Sequence, residues 1–229
     1  MFEFREEDHS YWLDGERIPS VTQILNEWQK VKVDNSFWYV NTYTGAVIDA
    51  ATFEKGGDFG TAIHKACKLI LFGDLDWDGL DPDLILPLRQ FERAVNDLKL
   101  KASWVEVPMY HKRKKIAGTP DIIGNVNLTR QLSCIDIKTG DFALAGPQAA
   151  CYCDIFKSYA NYKGMMARFV LYLPKDGNPY KIIPLKNAKD LAYFDAKLYQ
   201  YRYLRAACPT TRALRGFMPG ATVAGLCGS

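Results

Sequence analysis

Apolar side chains recur at three- and four-residue steps through two stretches of the first half of the chain. In residues 52–72, Phe59, Ile63, Ala66, Cys67, Ile70 and Leu71 share one face, which predicts an amphipathic helix closed by Gly73. Residues 81–100 repeat the pattern with Leu84, Leu88, Phe91, Val95 and Leu98. The period then shortens, and 103–110, 116–126 and 131–138 read as three strands, with a basic turn from His111 to Lys115 between the first two. Pro147 opens a helix reaching about residue 162, since proline suits a first helical turn. Strands at 167–173 and 180–185 flank a turn at Lys175-Asp176-Gly177-Asn178. Asn187 can cap a last helix to about residue 205, with Leu191, Phe194, Leu198 and Tyr201 inward. At the start, 10–19 reads as a hairpin turning at Asp14-Gly15, and Ser20 or Thr22 caps a short helix to about residue 28. The aromatic and polar stretch 30–50 reads as a loop or short helix.

This order predicts an α/β fold, a mixed central β-sheet flanked by helices. It fits one domain over residues 1–208, with an N-terminal embellishment in 1–50 and a core in 51–206. The Gly-, Thr- and Ala-rich stretch 209–229 reads as a loose tail.

At 229 residues the chain can bury a sizeable core without disulfides. With 48% apolar and 24% charged residues, it is neither disordered, collagen-like nor mucin-like in composition. No apolar run approaches the ~18 residues of a membrane helix, and the acidic start is unlike a signal or transit peptide. A cytoplasmic protein with no membrane partner is expected. Cys67, Cys134, Cys151, Cys153, Cys208 and Cys227 lack the spacing of a disulfide framework or a zinc site, so buried free thiols are expected. The net charge of +3 hides an uneven distribution. Residues 1–30 carry seven acidic and three basic side chains, 101–138 seven basic and three acidic, and 181–215 eight basic and two acidic. That pattern permits a polyanionic partner.

The best candidate chemistry lies in the three-strand run. Asp121, in Gly118-Thr119-Pro120-Asp121, and Asp136, in Asp136-Ile137-Lys138, can meet at a sheet edge or fork. Two carboxylates there suit Mg²⁺. Lys138 shares the facing of Asp136 and can orient a water and stabilise developing negative charge. Asp97-x-Lys99 and Asp195-x-Lys197 repeat the triplet, but in predicted helices; only Asp136-x-Lys138 interrupts an apolar strand. Glu106, on the preceding strand, can add a third carboxylate. Lys112, Arg113, Lys114 and Lys115 can grip phosphates. Trp28, Phe37, Trp38 and Tyr39 can stack on unpaired bases. Lys157, Lys163 and Arg168 can line a groove.

Gly60-x-x-x-His64, Gly118-x-x-Asp121, Asp136-x-Lys138 and Gln148-x-x-x-Tyr152 occur in that order. The set resembles the PD-(D/E)xK nuclease superfamily, in particular its RecB-like branch, over residues 10–205. Pro19-Ser20-Val21-Thr22-Gln23-Ile24-Leu25 resembles the start of phage-encoded and mitochondrial exonucleases of that branch. The resemblance implies a restriction-endonuclease-like core. It also implies a metal-dependent DNA exonuclease of phage-type recombination, repair or processing, with Mg²⁺ as cofactor and Mn²⁺ as substitute. His64, Asp121, Asp136 and the Ile137 carbonyl would be metal ligands and Lys138 the catalytic lysine. Gln148 and Tyr152 would brace the site and the nucleic-acid strand, and Glu106 would either support the ligands from behind or bind a second metal. DNA, single- or double-stranded with free ends, would be the partner, with a recombination protein or further copies of the chain possible. The cysteine cluster that holds iron–sulfur in some relatives is absent, so no such cluster is expected, and no ATP-binding motif is found. The alternatives are an endonuclease on the same fold and a catalytically silent module that binds DNA or protein.

Overall fold

The structure, a computed structural model, describes residues 1–26, 28–34, 36–41 and 46–207. The expected tail, with Cys208 and Cys227, lies outside them. In chain order the elements are β1 (Phe2–Arg5), β2 (Ser10–Leu13), β3 (Glu16–Ile18), α1 (Val21–Leu25), β4 (Trp28–Val33), β5 (Ser36–Asn41), β6 (Val47–Asp49), α2 (Ala50–Phe72), α3 (Pro82–Asp97), β7 (Lys101–Val105), β8 (Met109–His111), β9 (Ile116–Gly118), β10 (Ile122–Asn125), β11 (Leu132–Lys138), α4 (Ala145–Tyr159), β12 (Met166–Tyr172), β13 (Lys181–Pro184) and α5 (Asp190–Ala207).

A five-stranded sheet, ordered β13-β12-β11-β10-β7, forms the centre. β11 and β12 run parallel and the other neighbours antiparallel, so the sheet is mixed. Alternate residues feed opposite cores. Ile122, Ile135 and Ile137 pack with Ile63 and Cys67 of α2 and Leu88 and Phe91 of α3. Ile123 and Cys134 pack with α1, with Ile155 and Phe156 of α4, and with Phe194 and Leu198 of α5. The chain is therefore an α/β protein with helices on both faces of a mixed sheet.

Local chemistry explains the ends of the elements. Asp14 and Gly15 both take left-handed φ, 52° and 81°, which a tight hairpin turn requires. Ser20 caps α1 in a reciprocal capping box with Gln23. Gly73 ends α2 with φ 77°. Pro147 lies in the first turn of α4, where its missing N–H is not needed. At the β7–β10 pair a register shift falls between Ile123 and Gly124. There a Cβ on Gly124 would lie 2.4 Å from the Lys101 carbonyl oxygen and 2.9 Å from Ala102 Cα, both backbone atoms. Gly124→Ala is expected to cost about 1–3 kcal/mol by overpacking, read as a lower urea midpoint at unchanged slope.

Three expectations are corrected. The described part of residues 30–50 is not a loop or short helix: β4, β5 and β6 pair into an antiparallel sheet whose Tyr39 and Trp28 rings pack on Phe53 of α2, and residues 35 and 42–45 lie outside the described residues. The helix expected to residue 28 stops at Leu25, because Trp28 already pairs with Asn41. The runs 103–110 and 116–126 are each two strands. Their near halves, β8 and β9, pair with each other as a separate hairpin, and their far halves, β7 and β10, enter the central sheet. The breaks fall at Glu106, with a left-handed φ of 48°, and at Thr119–Asp121, where Pro120 has no N–H to give.

Candidate active site

The second break builds the site. β10 pairs with β11 from Ile122↔Ile135 onward, so Asp121 and Asp136 stand opposite each other one step past the last pair. β11 continues on its other side, paired with β12 as far as Lys138↔Tyr172. A fork opens between β10 and β11, and the Ile137 N–H that β10 leaves unpaired donates to Asp121 Oδ2 at 2.7 Å. Like charges opposite one another are unfavourable unless compensated. Two cations compensate them. His64 Nδ1 of α2 lies 3.2 Å from Asp121 Oδ1, and Lys138 Nζ lies 2.8 Å from Asp136 Oδ2. The period-two facing of Asp136 and Lys138 is thus the basis of their contact.

Burial sets the electrostatics. The Asp136 side chain is 1% exposed, and neither of its oxygens receives an aligned hydrogen bond, the lysine meeting Oδ2 by distance alone. Burial raises its carboxyl to about 6 against the pull of Lys138. Burial would also raise Asp121, but His64 and the Ile137 N–H hold it below the ordinary carboxylate range. Burial opposes the imidazolium of His64; the Asp121 carboxylate outweighs it and the group rises to about 8. Lys138, disfavoured by burial as a cation, is held above its ordinary value by Asp136 and Asp121.

α4 supplies the floor. Gln148 and Tyr152 are one turn apart, and Gln148 Nε2 donates to the Tyr152 hydroxyl at 3.2 Å. Burial pushes that phenol well up, and Asp121 adds to the shift. The ring lies against Gly118: a Cβ there would come within 2.6 Å of Tyr152 Cε1 and 3.2 Å of Val21 Cγ2. The glycine of Gly118-x-x-Asp121 thus makes room for the tyrosine. Gly118→Ala is expected to displace Tyr152 and to lower stability by about 1–3 kcal/mol, with the near-ultraviolet aromatic signal altered while far-ultraviolet helix content is kept. An unchanged aromatic signal and midpoint would contradict that packing role.

Glu106 reaches the site from the first break. Its N–H donates to the Asp121 carbonyl at 2.9 Å, and its carboxylate lies 3.7 Å from Lys68 Nζ. Lys68 was missed by sequence reasoning, although it lies one turn beyond His64 on the same helix face. The basic turn is not a uniform phosphate grip. Lys114 points inward, 2.9 Å from Asp154 Oδ2 and 2.6 Å from Asp195 Oδ1, and Lys115 lies 3.0 Å from Glu16 Oε2. Lys112 and Arg113 are exposed, with no ion pair to a carboxylate among the described residues. Arg168 does not line a groove: it is held by Asp190 at 2.8 Å.

Among the described residues no three His, Cys, Asp or Glu side chains are gathered as a metal cage. His64 pairs with Asp121 and Lys138 with Asp136 instead. The donor chemistry still fits a hard divalent cation, because Asp136 is buried with no donor to Oδ1 and only the Lys138 ammonium beside Oδ2, and buried carboxylate oxygens are costly to leave so. Cys67, Cys134, Cys151 and Cys153 are free and buried. No helix among the described residues is long and apolar enough to cross a membrane.

Compared with protein-family models and with the sequences of curated proteins, the chain matches none.

Proposed function

We propose that this chain is a metal-dependent DNA nuclease of the PD-(D/E)xK type, acting as an exonuclease in phage-type DNA recombination, repair or processing. The observation that carries the reading is the fork: two opposed carboxylates, one of them buried, with a lysine ammonium 2.8 Å from it. The restriction-endonuclease-like core of the resemblance is part of the same reading. It is supported by the mixed sheet and by the order in which α2, β10, β11 and α4 bring their motif residues together.

His64, once its imidazolium proton is lost, Asp121, Asp136 and the Ile137 carbonyl would hold Mg²⁺, or Mn²⁺ in its place. When bound, the cation supplies Lewis-acid chemistry, neutralising the scissile phosphate and making water a better nucleophile. The Lys138 ammonium, held protonated by its two carboxylate neighbours, orients the attacking water and donates to the phosphate oxygen on which charge grows. The Ile137 N–H fixes the rotamer of Asp121, so its carboxylate is preorganised. Gln148 sets the direction of the Tyr152 hydroxyl. Cytoplasmic location belongs to the proposal, supported by the four buried free thiols.

The test is digestion of end-labelled linear DNA and of a covalently closed circle with Mg²⁺, Mn²⁺ or chelator. Metal-dependent loss of linear DNA with the circle intact is expected. Cutting of the circle would make the protein an endonuclease. DNA binding without cleavage would make it a silent module.

A further inference from the structure

We infer that the outer face of α5, joined to the β8–β9 turn, is a docking surface for an unpaired DNA strand; the inference rests on the nuclease reading above. The two basic stretches of the sequence meet here through their described residues, Lys114 of the first with Asp195 and Arg202 of the second. Lys114 is the rivet: its ammonium bridges Asp154 of α4 and Asp195 of α5, and Arg202 donates from its guanidinium to the Lys114 carbonyl. The turn and the last turns of α5 therefore form one surface.

The charges sort by direction. Both acids of α5 are used internally, Asp190 on Arg168 and Asp195 on Lys114. What faces outward is cationic: Lys112 and Arg113 on the turn, Arg202 and Arg205 on the helix. On the same helix stand Tyr199 and Tyr203, 73% and 61% exposed and one helical turn apart, with Arg202 between them in sequence. Basic side chains tracking a backbone, interleaved with aromatic faces on which bases stack, are how unpaired strands are held without sequence preference. A duplex would use the cations and leave the tyrosines idle.

The surface is also tied to the site. Arg113 is eight residues from Asp121, a span of at most ~28 Å of chain. α4 carries Tyr152 at the fork and, two residues on, Asp154 beneath Lys114. A strand passing from the turn to the fork therefore has a straight-line distance of at most ~28 Å to cover.

The test is fluorescence anisotropy of a labelled single-stranded oligonucleotide with the full chain, in chelator so that nothing is cut. It compares the wild type with Lys112→Ala/Arg113→Ala and Tyr199→Ala/Tyr203→Ala, each checked for an unchanged melting temperature. The tyrosine pair is expected to weaken binding about tenfold or more. The basic pair is expected to lower the slope of log affinity against log salt by about 1.4. Wild-type affinity and slope in both variants would overturn the surface and leave the nuclease reading standing, provided that the wild type digests DNA when metal is restored. A loss of duplex and single-strand affinity through the basic pair alone, with the tyrosine pair silent, would overturn the unpaired strand as occupant. A wild type that neither binds nor cuts DNA would overturn both readings. Lys138→Ala, run alongside, is expected to lose cutting and keep binding, which separates the surface from the chemistry.

Discussion

Lys138→Ala is expected to slow digestion of linear DNA by about 10²–10³-fold or more, the scale of removing one preorganised donor from a developing oxyanion. The variant loses the only ammonium in contact with Asp136 among the described residues. That carboxylate is then left buried opposite Asp121 with no counter-cation of its own, and its pKa moves further up. The fold should survive, because β11 is held at this end by its backbone pairing with β12. Lys138→Arg should not restore the rate, since a planar guanidinium cannot replace a compact ammonium within a fork this narrow. The measurement is the initial rate at matched enzyme concentration, with thermal melting as the control. A variant that digests at the wild-type rate would remove the lysine from the chemistry.

The second large effect is on stability, at Arg168. Its side chain is 15% exposed and that of Asp190 9%, so the pair is largely desolvated. Arg168 also donates to the Gly146 carbonyl in the first turn of α4 and to the Asn187 carbonyl just before α5. Removing the guanidinium strands a buried carboxylate, and Arg168→Ala is expected to cost about 3–5 kcal/mol by urea unfolding. Arg168→Met/Asp190→Leu should be the milder change, because it removes both charges and refills the space. Activity should fall with the single variant as well, since the helix it loosens carries Gln148 and Tyr152. If the single variant loses less than about 1 kcal/mol, the pair behaves as a solvated surface bridge and this account of the α4–α5 junction is wrong.

Long elements were legible because their signals repeat. α2 and α3 each show several apolar residues at helical spacing, and Gly73 marks the end of α2 by backbone chemistry alone. The facing of Asp136 and Lys138 was legible for the same reason, a period of two. The β4–β6 sheet was not, because β5 and β6 are largely exposed or half-buried and their side chains carry no clean alternation. The breaks at Glu106 and Pro120 were hidden because a strand that changes partner keeps its β-like composition. This matters for the site, since the fork exists only because β9 leaves the central sheet and Asp121 becomes the first residue outside β10. The basic turn shows the same limit: four consecutive cations look alike, and only partners far along the chain, Glu16, Asp154 and Asp195, separate the two that point inward or pair from the two that face solvent.

The most direct test of the central claim, that this fork holds the divalent cation of a phosphodiester hydrolase, is anomalous diffraction at the manganese edge from crystals soaked in Mn²⁺. The account predicts manganese bonded to Asp121 and Asp136, and none there in Asp136→Ala crystals. Manganese bound elsewhere, or an empty fork in a protein that digests DNA in the same buffer, would contradict it.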